Sequence, residues 1–357
     1  MKIAYIHDWL IFPGGAEEVF FDIINKNLLW DSYEEISEQN SDKAEKNKKH
    51  EKKIFTAFHY NEYENNSNLD IEAAISGKYI RKYYRHLMPF FPFFMKRLSA
   101  KIRKFNPDIA IISSFAIAKN LDLWENTKKV LYLHSPMQYI RTHYDEYAKK
   151  MKKQWWLKHK IYQYSSKKLR RWDINYNKFD EYYFNSNYTK ETFQKTYGNK
   201  VKNGKIVNPL VRIPSYKKIT IKDFFPLEEK KYFIYIWRLV KFVKHVDIII
   251  KAFNKTWDKL VIIGEWPDEE YLKSIANENI VFTGYIWNQE DRYWNLLAQS
   301  KALINITKES FWIVTKQALE IWVPVIWLNK GATPELKGEK ILIEEVNEEN
   351  LIKAIKK

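Results

Sequence analysis

The sequence predicts an α/β protein of two domains, each built on a parallel β-sheet with helices on both faces. Three observations support this fold class. Short apolar runs alternate with helical patterns along the chain. These runs form two series, separated by a polar stretch. A length of 357 residues with 45% apolar residues allows two ordinary cores. We predict Rossmann-like domains at 1–212 and 231–357, a linker at 213–230, and a ligand cleft facing the carboxyl ends of the strands.

The first series opens with a βαβ pattern. KIAYIHDW at 2–9 is predicted as a buried strand, FPGG as a turn, and Ala16 to about Lys26 as a helix. Residues 34–53 have almost no apolar side chains, so we predict a solvated insertion there. Further strands are predicted at DIAIISS (108–114), KVLYLHS (129–135) and EYYFNS (181–186).

The second series repeats the alternation. Helical patterns such as VDIIIKAFNK and EDRYWNLLAQSKA lie between its apolar runs. The predicted strands are YFIYIW (232–237), KLVIIG (259–264), IVFTGY (280–285), ALINIT (302–307) and VPVIWL (323–328).

Composition excludes several classes of site. The chain has no Cys, which excludes disulfides and thiolate metal sites and fits a reducing compartment. It has no HExxH, P-loop, GxSxG or Cys/His cluster, so no metal site is predicted. The N-terminus lacks the apolar core of a signal peptide, and no apolar run has the length of a membrane span. We therefore expect a cytoplasmic protein.

The formal charge of +16 predicts anionic partners. Residues 149–171 hold ten Lys or Arg, no acidic residue and several aromatic residues. This segment is either a solvated helix face or a patch for the anionic inner surface of a membrane. LMPFFPFFM at 87–95 is either an apolar dock for a lipid or a buried corner.

Candidate site residues follow the predicted strands. Gly14 and Gly15 stand at a helix N-terminus, where backbone amides can hold a phosphate, although a plain turn has the same pattern. Arg238 and Lys244 follow a strand and are either a diphosphate clamp or a solvated basic turn.

Two histidines and one glutamate complete the candidates. His7 and His134 are each predicted to end a strand, which favours the cleft over the core. Glu309 precedes a loop and a helix, where a carboxylate can hold sugar hydroxyls, although a surface role is the commoner one for such a residue.

In these motifs the chain resembles the GT-B glycosyltransferases of family 4, especially the branch that builds bacterial O-antigens and exopolysaccharides, often from GDP-mannose. The similarity extends along nearly the whole chain. The segments that carry it are KIAYIHDWL-PGGAEEV, DIAIISSFAIAKN, LYLHSPMQYI, LRRWD, FNSNYTKETFQKTYG, IVNPLV, RLV-K-VDIIIKAFNK, LVIIGEWPDEEYL, IVFTGYI, ESFWIVTKQAL and PVIWLNKGATPE.

The resemblance implies roles for individual residues. His134 and Glu309 would lie near the transferred sugar. Glu309 would be the first Glu of an E-x7-E motif. The second position of that motif, which grips the nucleotide ribose, is Gln317, which carries no charge. The groups on the donor diphosphate would be Gly14, Gly15, Arg238, Lys244 and the amides of Trp312, Ile313 and Val314.

The resemblance also implies a reaction. It would be a metal-independent, retaining transfer of a hexose, plausibly mannose, from a GDP- or UDP-linked donor to a lipid-linked or growing saccharide. No cofactor is expected beyond this nucleotide-sugar co-substrate, and the enzyme would be held at the inner face of the membrane. Two alternatives stay open: a non-catalytic sugar- or partner-binding protein, and a nucleic-acid binder, for which no recognition module is present.

Tryptophan stands at several positions where the family has glycine. The chain has 14 Trp and only 9 Gly. Trp9 and Trp172 match family tryptophans. Our hypothesis for most of the others is that UGA codons were decoded as Trp in a lineage that reads UGA as glycine; a true Trp-rich homologue is the rival reading. The positions concerned include Trp237, Trp257, Trp266, Trp287, Trp312, Trp322 and Trp327.

Overall fold

The computed structural model divides the chain into two compact units, Met1–Leu210 and Val211–Lys357. Each unit contains one parallel sheet, and α-helices lie in most of the connections between its successive strands, which confirms the predicted α/β class. The residues that the structure describes are 1–26, 29, 50–63, 67–174, 179–198, 201, 204–211, 213–215, 230–240, 244–265, 268–311 and 313–357.

The first unit is built on a seven-stranded sheet. Its strands are Lys2–Leu10 (β1), Glu51–His59 (β2), Ile71–Ser76 (β3), Ile109–Ser114 (β4), Lys128–Leu133 (β5), Glu181–Phe184 (β6) and Gly204–Ile206 (β7). Its α-helices are Gly15–Lys26 (α1), Ile80–Tyr83 (α2), Phe91–Phe105 (α3), Tyr144–Gln154 (α4), Trp156–Ile174 (α5) and Asn187–Tyr197 (α6). Short 3₁₀ helices span Tyr84–Phe90, Ala118–Asn120 and Gln138–Ile140.

The second unit is built on a six-stranded sheet. Its strands are Tyr232–Ile236 (β8), Lys259–Ile263 (β9), Ile280–Gly284 (β10), Ala302–Asn305 (β11), Val325–Leu328 (β12) and Lys340–Ile343 (β13). Its α-helices are Val246–Thr256 (α7), Glu269–Ser274 (α8), Asp291–Ala298 (α9), Ile313–Glu320 (α10) and Glu348–Ile355 (α11), and a 3₁₀ helix spans Thr333–Glu335.

The order of strands changes direction at the centre of each sheet. The orders are β3-β2-β1-β4-β5-β6-β7 and β10-β9-β8-β11-β12-β13, and the strand pairs are parallel. The chain therefore leaves β1 and β4, and likewise β8 and β11, toward opposite sides of the sheet. In open α/β sheets, ligands bind beyond the carboxyl ends of the strands at such a point.

Burial of the central strands explains why their sequences are continuous apolar runs. Every residue of β4 and of β8 is buried. Helices cover both faces of each sheet, so these strands have no solvent-facing side. Apolar side chains of β4 and β5 pack with those of α3 in one core cluster.

The insertion predicted at 34–53 is wrong at its C-terminal end. Residues 51–53 are the first residues of β2, and they pair in register with the start of β1. Their charges are tolerated because they lie at the end of the sheet, where Lys53 pairs with Glu72 at 2.7 Å. Residues 34–49 lie outside the described part of the chain. The strands β2, β3, β7 and β13 are absent from the prediction.

Two tryptophans have the backbone conformation that favours glycine. Trp257 ends α7 with φ 60°, and Trp322 follows α10 with φ 61°. Their side chains are 58% and 91% exposed, so they gain little from packing. A bulky residue in this left-handed region costs about 1–2 kcal/mol.

The other tryptophans of the described residues do not share this conformation. Trp327 lies inside β12, within the strand predicted at 323–328, and is fully buried. Trp237 and Trp287 lack a positive φ. Trp266 and Trp312 lie outside the described residues.

Candidate functional site

Two histidines and a serine meet at the carboxyl ends of β1, β4 and β5. His7 was expected to end its strand, but it lies inside β1, whereas His134 directly follows β5. The Ser113 hydroxyl oxygen is 3.0 Å from His7 Nδ1 and 2.8 Å from His134 Nε2. The parallel register places Ser113 beside His7. We call His7, Ser113 and His134 the histidine–serine cluster.

The environment of His134 favours its neutral form. The ring is 7% exposed, and burial and the nearby His7 lower its pKa well below the usual value. A neutral imidazole offers one hydrogen-bond donor and one acceptor. His134 can therefore orient a polar group without adding charge.

Gly14 directly precedes α1 and Gly15 begins it, but a carboxylate lies beside Gly14. A Cβ on Gly14 would stand 2.8 Å from Glu17 Oε2, and Glu17 Oε1 is 3.9 Å from His7 Nε2. This carboxylate occupies part of the space in which the sequence predicts a phosphate. A phosphate could approach Gly14 only if Glu17 turned away.

Asp8 holds the loop after β4. This buried carboxylate accepts hydrogen bonds from four successive backbone N–H groups, with N–O distances of 2.5–2.9 Å. The donors are Phe115, Ala116, Ile117 and Ala118. In the sequence, the signal for Asp8 was its position next to His7, near the end of the strand predicted at 2–9.

Lys244 and Glu309 form an ion pair in the second unit. The Lys244 ammonium contacts Glu309 Oε1, and both side chains are largely buried. The same ammonium lies 4.8 Å from the centre of the Trp237 ring. Burial lowers the pKa of Lys244, whereas Glu309 acts in the opposite direction. The structure thus brings together two residues that lie 65 positions apart.

The backbone of Glu309 is fixed by Gly331. The two residues form an isolated parallel β-bridge, and Ala332 N donates to Glu309 O at 2.8 Å. Gly331 has φ 83°, and a Cβ there would stand 2.6 Å from Glu309 O. Only glycine fits this contact. The glycine in the motif NKGATPE was the sequence signal for it.

Arg238 and the start of α10 offer further groups for an anion. Arg238 is exposed just beyond β8 and has no ion pair or side-chain hydrogen bond within the described residues. Ile313 and Val314 begin α10, where first-turn amides have no partner in the helix. The predicted contact at Trp312 lies outside the described residues.

Gln317 is turned into the protein. It is 4% exposed, and its Oε1 accepts a hydrogen bond from the Tyr293 hydroxyl at 2.7 Å. This contact limits what the amide can offer a ribose. Tyr235 was missed by the sequence reasoning. Among the described residues its buried hydroxyl has no hydrogen-bond partner, and burial and Glu309 raise its pKa well above the usual value.

The basic segment at 149–171 forms most of α4 and α5. Large apolar side chains on it are exposed to solvent, including Trp156 (66%), Tyr164 (62%) and Ile161 (51%). Among the described helices, none has the length and apolar character needed to cross a membrane. In the same part of the chain, no group of three His, Cys, Asp or Glu residues is placed to hold a metal ion.

Both halves of the chain match families of glycosyltransferases. Residues 45–208 match the family described as Glycosyltransferase Family 4, and residues 230–357 match the family described as Glycosyl transferases group 1. No curated protein matches the sequence.

Solved structures share the two-domain fold. Anabaena HepE, crystallised with UDP and glucose, has a TM-score of 0.64 and 14% identity, over 99% of this chain and 89% of its own. WaaG, a glycosyltransferase of lipopolysaccharide biosynthesis, has a TM-score of 0.64 and 15% identity, over 99% and 90%. Sucrose-phosphate synthase from Thermosynechococcus elongatus has a TM-score of 0.59 and 14% identity, over 99% and 88%. The shared fold is GT-B.

Proposed function

Because the chain belongs to the GT-B glycosyltransferases, we propose that it is a retaining hexosyltransferase. The donor is a UDP- or GDP-linked hexose such as mannose, and the acceptor is a lipid-linked or growing saccharide of a cell-surface polysaccharide. The donor in the HepE crystal structures and the role of WaaG in lipopolysaccharide biosynthesis support these two classes of substrate.

The observation that carries the proposal is the Lys244–Glu309 pair beside Arg238. These side chains lie beyond β8 and β11, where the strand order changes direction. Lys244 and Arg238 supply positive charge for a diphosphate, and Glu309 accepts hydrogen bonds from sugar hydroxyls. A nucleotide sugar carries both groups in one molecule.

The proposed chemistry depends on charge that develops in the transition state. As the bond from the sugar to the diphosphate breaks, negative charge grows on the leaving oxygen. Arg238, Lys244 and the amides of Ile313 and Val314 stabilise this charge. With these groups on the diphosphate, the reaction needs no metal ion. His134 hydrogen-bonds the sugar as a neutral ring.

The test measures release of nucleoside diphosphate from UDP- and GDP-linked glucose, galactose and mannose, with a polyprenyl-diphosphate glycolipid as acceptor. We expect transfer from one of these donors, undiminished by EDTA. Glu309→Gln should lower turnover at least about 100-fold. Lys273→Met is the matched control for Lys244→Met, because Lys273 forms an ion pair with Glu269 in α8, outside the proposed site. Equal loss in both lysine variants would contradict the assignment.

One observation favours a second function, a nucleotide-sugar-binding protein without turnover. The centre of the Trp237 ring lies 4.8 Å from the Lys244 ammonium, so a bulky side chain occupies space beside a group that we assign to the diphosphate. Calorimetric binding of a donor without release of product, in the chain as written and in a Trp237→Gly variant, would support this alternative. Turnover restored by Trp237→Gly would instead support the enzyme.

We also propose that α4 and α5 hold the protein at the anionic inner face of a membrane. Exposed Trp156, Ile161 and Tyr164 would enter the lipid interface, and the surrounding lysines would lie near the headgroups. Each basic residue near anionic lipid contributes about 1 kcal/mol. We expect cosedimentation with vesicles that contain phosphatidylserine but not with pure phosphatidylcholine.

Trp156→Ser should weaken vesicle binding. Trp124→Ser is its control, since Trp124 is also exposed (48%) but lies outside these helices. Equal binding to both kinds of vesicle would contradict the electrostatic part of the proposal.

A further inference from the structure

Ser113 touches both histidines of the histidine–serine cluster. Its side chain is fully buried, and its hydroxyl has no hydrogen-bond partner other than His7 and His134 within the described residues. A hydroxyl carries one proton, which must be donated to one of these two rings if it is to have an acceptor. The ring nitrogen that accepts this proton must itself carry none, so the tautomer of a neutral accepting ring is fixed.

His7 cannot accept this proton. Its Nδ1 lies 3.1 Å from the Ser113 carbonyl oxygen as well as 3.0 Å from the hydroxyl oxygen. A carbonyl oxygen only accepts hydrogen bonds, so His7 Nδ1 must carry a proton. His7 therefore donates to Ser113, and the hydroxyl proton is directed elsewhere.

His134 Nε2, 2.8 Å away, is the acceptor that remains. A neutral histidine that accepts at Nε2 carries its proton on Nδ1. His134 Nδ1 has no partner in the described part of the chain, whereas the backbone oxygen of the same residue is bound by Asn185 and Thr189. The main chain is thus held, and one ring N–H is left for a ligand.

We propose that Ser113 is a positioning residue that fixes His134 in its Nδ1–H tautomer, so that the ring donates a hydrogen bond to an oxygen of the transferred sugar. This inference rests on the function proposed above. It adds to that function a residue that neither the family resemblance nor the comparisons assign.

The surroundings of the histidine–serine cluster also favour a neutral His134. A charged His134 would place an N–H against the Ser113 hydroxyl, whose own proton would then have no acceptor. The buried Tyr132 ring, 5.0 Å from His134, adds no charge. The Glu17 carboxylate faces His7, with its Oε1 3.9 Å from His7 Nε2. These contacts agree with the lowered pKa of His134.

The experiment reads the tautomer directly, by NMR of ¹⁵N- and ¹³C-labelled histidine in the full chain without donor. The His134 signals are assigned as those lost in His134→Gln. We expect the Nδ1–H form in the native sequence. In Ser113→Ala we expect the Nε2–H form to appear and donor turnover to fall about five- to tenfold, the usual effect of one hydrogen bond. Ser113→Thr should restore both properties.

Two control variants distinguish loss of the Ser113 hydroxyl from a change in the packing of the core. Ser113→Val has the shape of threonine without the hydroxyl, so it repeats the test if the alanine variant does not fold. Ser114→Ala removes an equally buried serine that instead contacts Asp8, and it should leave the tautomer unchanged.

An Nε2–H form in the native chain, or an unchanged tautomer in both Ser113→Ala and Ser113→Val, would overturn the inference. The NMR result does not depend on turnover. A chain that transfers no sugar but shows the expected tautomers would refute the proposed function, and the assignment of the proton would stand.

Discussion

The α-carbon of Gly331 packs directly against the main chain of Glu309. The φ of Gly331 is 83°, and any Cβ there would meet the Glu309 carbonyl oxygen at 2.6 Å and its nitrogen at 2.9 Å. The position of the Glu309 carboxylate therefore depends on a glycine 22 residues further along the chain. This contact and the ion pair with Lys244 hold the acidic group from two sides.

Gly331→Ala should displace Glu309 and weaken donor binding. The added methyl group and the left-handed backbone together should lower the free energy of unfolding by about 1–3 kcal/mol. Gly198→Ala is the matched control, because Gly198 also has a positive φ, 80°, but nothing lies within 4 Å of its added Cβ. Titration with UDP- and GDP-sugars should show weaker binding for Gly331→Ala only. Unchanged affinity in that variant would show that Glu309 does not need this support.

Removing one member of the Lys244–Glu309 pair should destabilise the second unit more than removing both. Glu309→Gln leaves a buried ammonium without its partner, which costs about 3–5 kcal/mol for a buried pair. The double variant Lys244→Met/Glu309→Gln should regain most of this stability but should not bind donor. Urea unfolding of the two single variants and the double variant checks the first expectation. Additive losses of stability would mean that the two groups do not interact.

The stability of the first unit should fall as the pH is lowered below about 6.5. The folded-state pKa of His134 lies well below the usual value because of burial and His7, so the unfolded chain binds a proton that the folded chain does not. One such group contributes a slope of at most about 1.4 kcal/mol per pH unit. Denaturant unfolding between pH 5 and 8 measures this slope.

The variant His134→Gln should reduce the slope. His59→Gln should reduce it less, because burial lowers the pKa of His59 to a smaller extent. A slope that is the same in His134→Gln and in the unchanged chain would exclude His134 as its source.

Trp257 and Trp322 should be glycine in the protein made by its native cells. Their φ values of 60° and 61° are those of glycine at the ends of helices. Peptide mass spectrometry across these positions decides the matter, since tryptophan found at both would refute the decoding hypothesis.

Replacing Trp322 by glycine should change the free energy of unfolding. Trp322→Gly in the recombinant chain should raise the free energy of unfolding by about 1 kcal/mol, because glycine relieves the left-handed strain at a side chain that is 91% exposed. Trp9→Gly should instead lower it by about 3 kcal/mol, because Trp9 packs against Phe115, with ring centres 4.8 Å apart.

The elements with continuous apolar runs could be predicted from the sequence. β4 and β8 are buried on every residue, so their composition alone marks them as strands. β2 was missed at its start because Glu51, Lys52 and Lys53 resemble the charged stretch before them. Their pairing with β1 is a tertiary contact that local composition does not carry.

Within the candidate sites, the sequence identified separate residues and the structure assembled them. The sequence by itself determined which segments form strands, that they fall into two α/β units, and that Lys244, Glu309 and His134 lie near strand ends. Only the tertiary structure decided that Ser113 joins His7 to His134 and that Gly331 fixes Glu309. The reason is physical. Local pattern reports which surfaces of an element are buried, whereas contacts between residues tens of positions apart depend on strand order and register, and those are set by packing of the whole sheet.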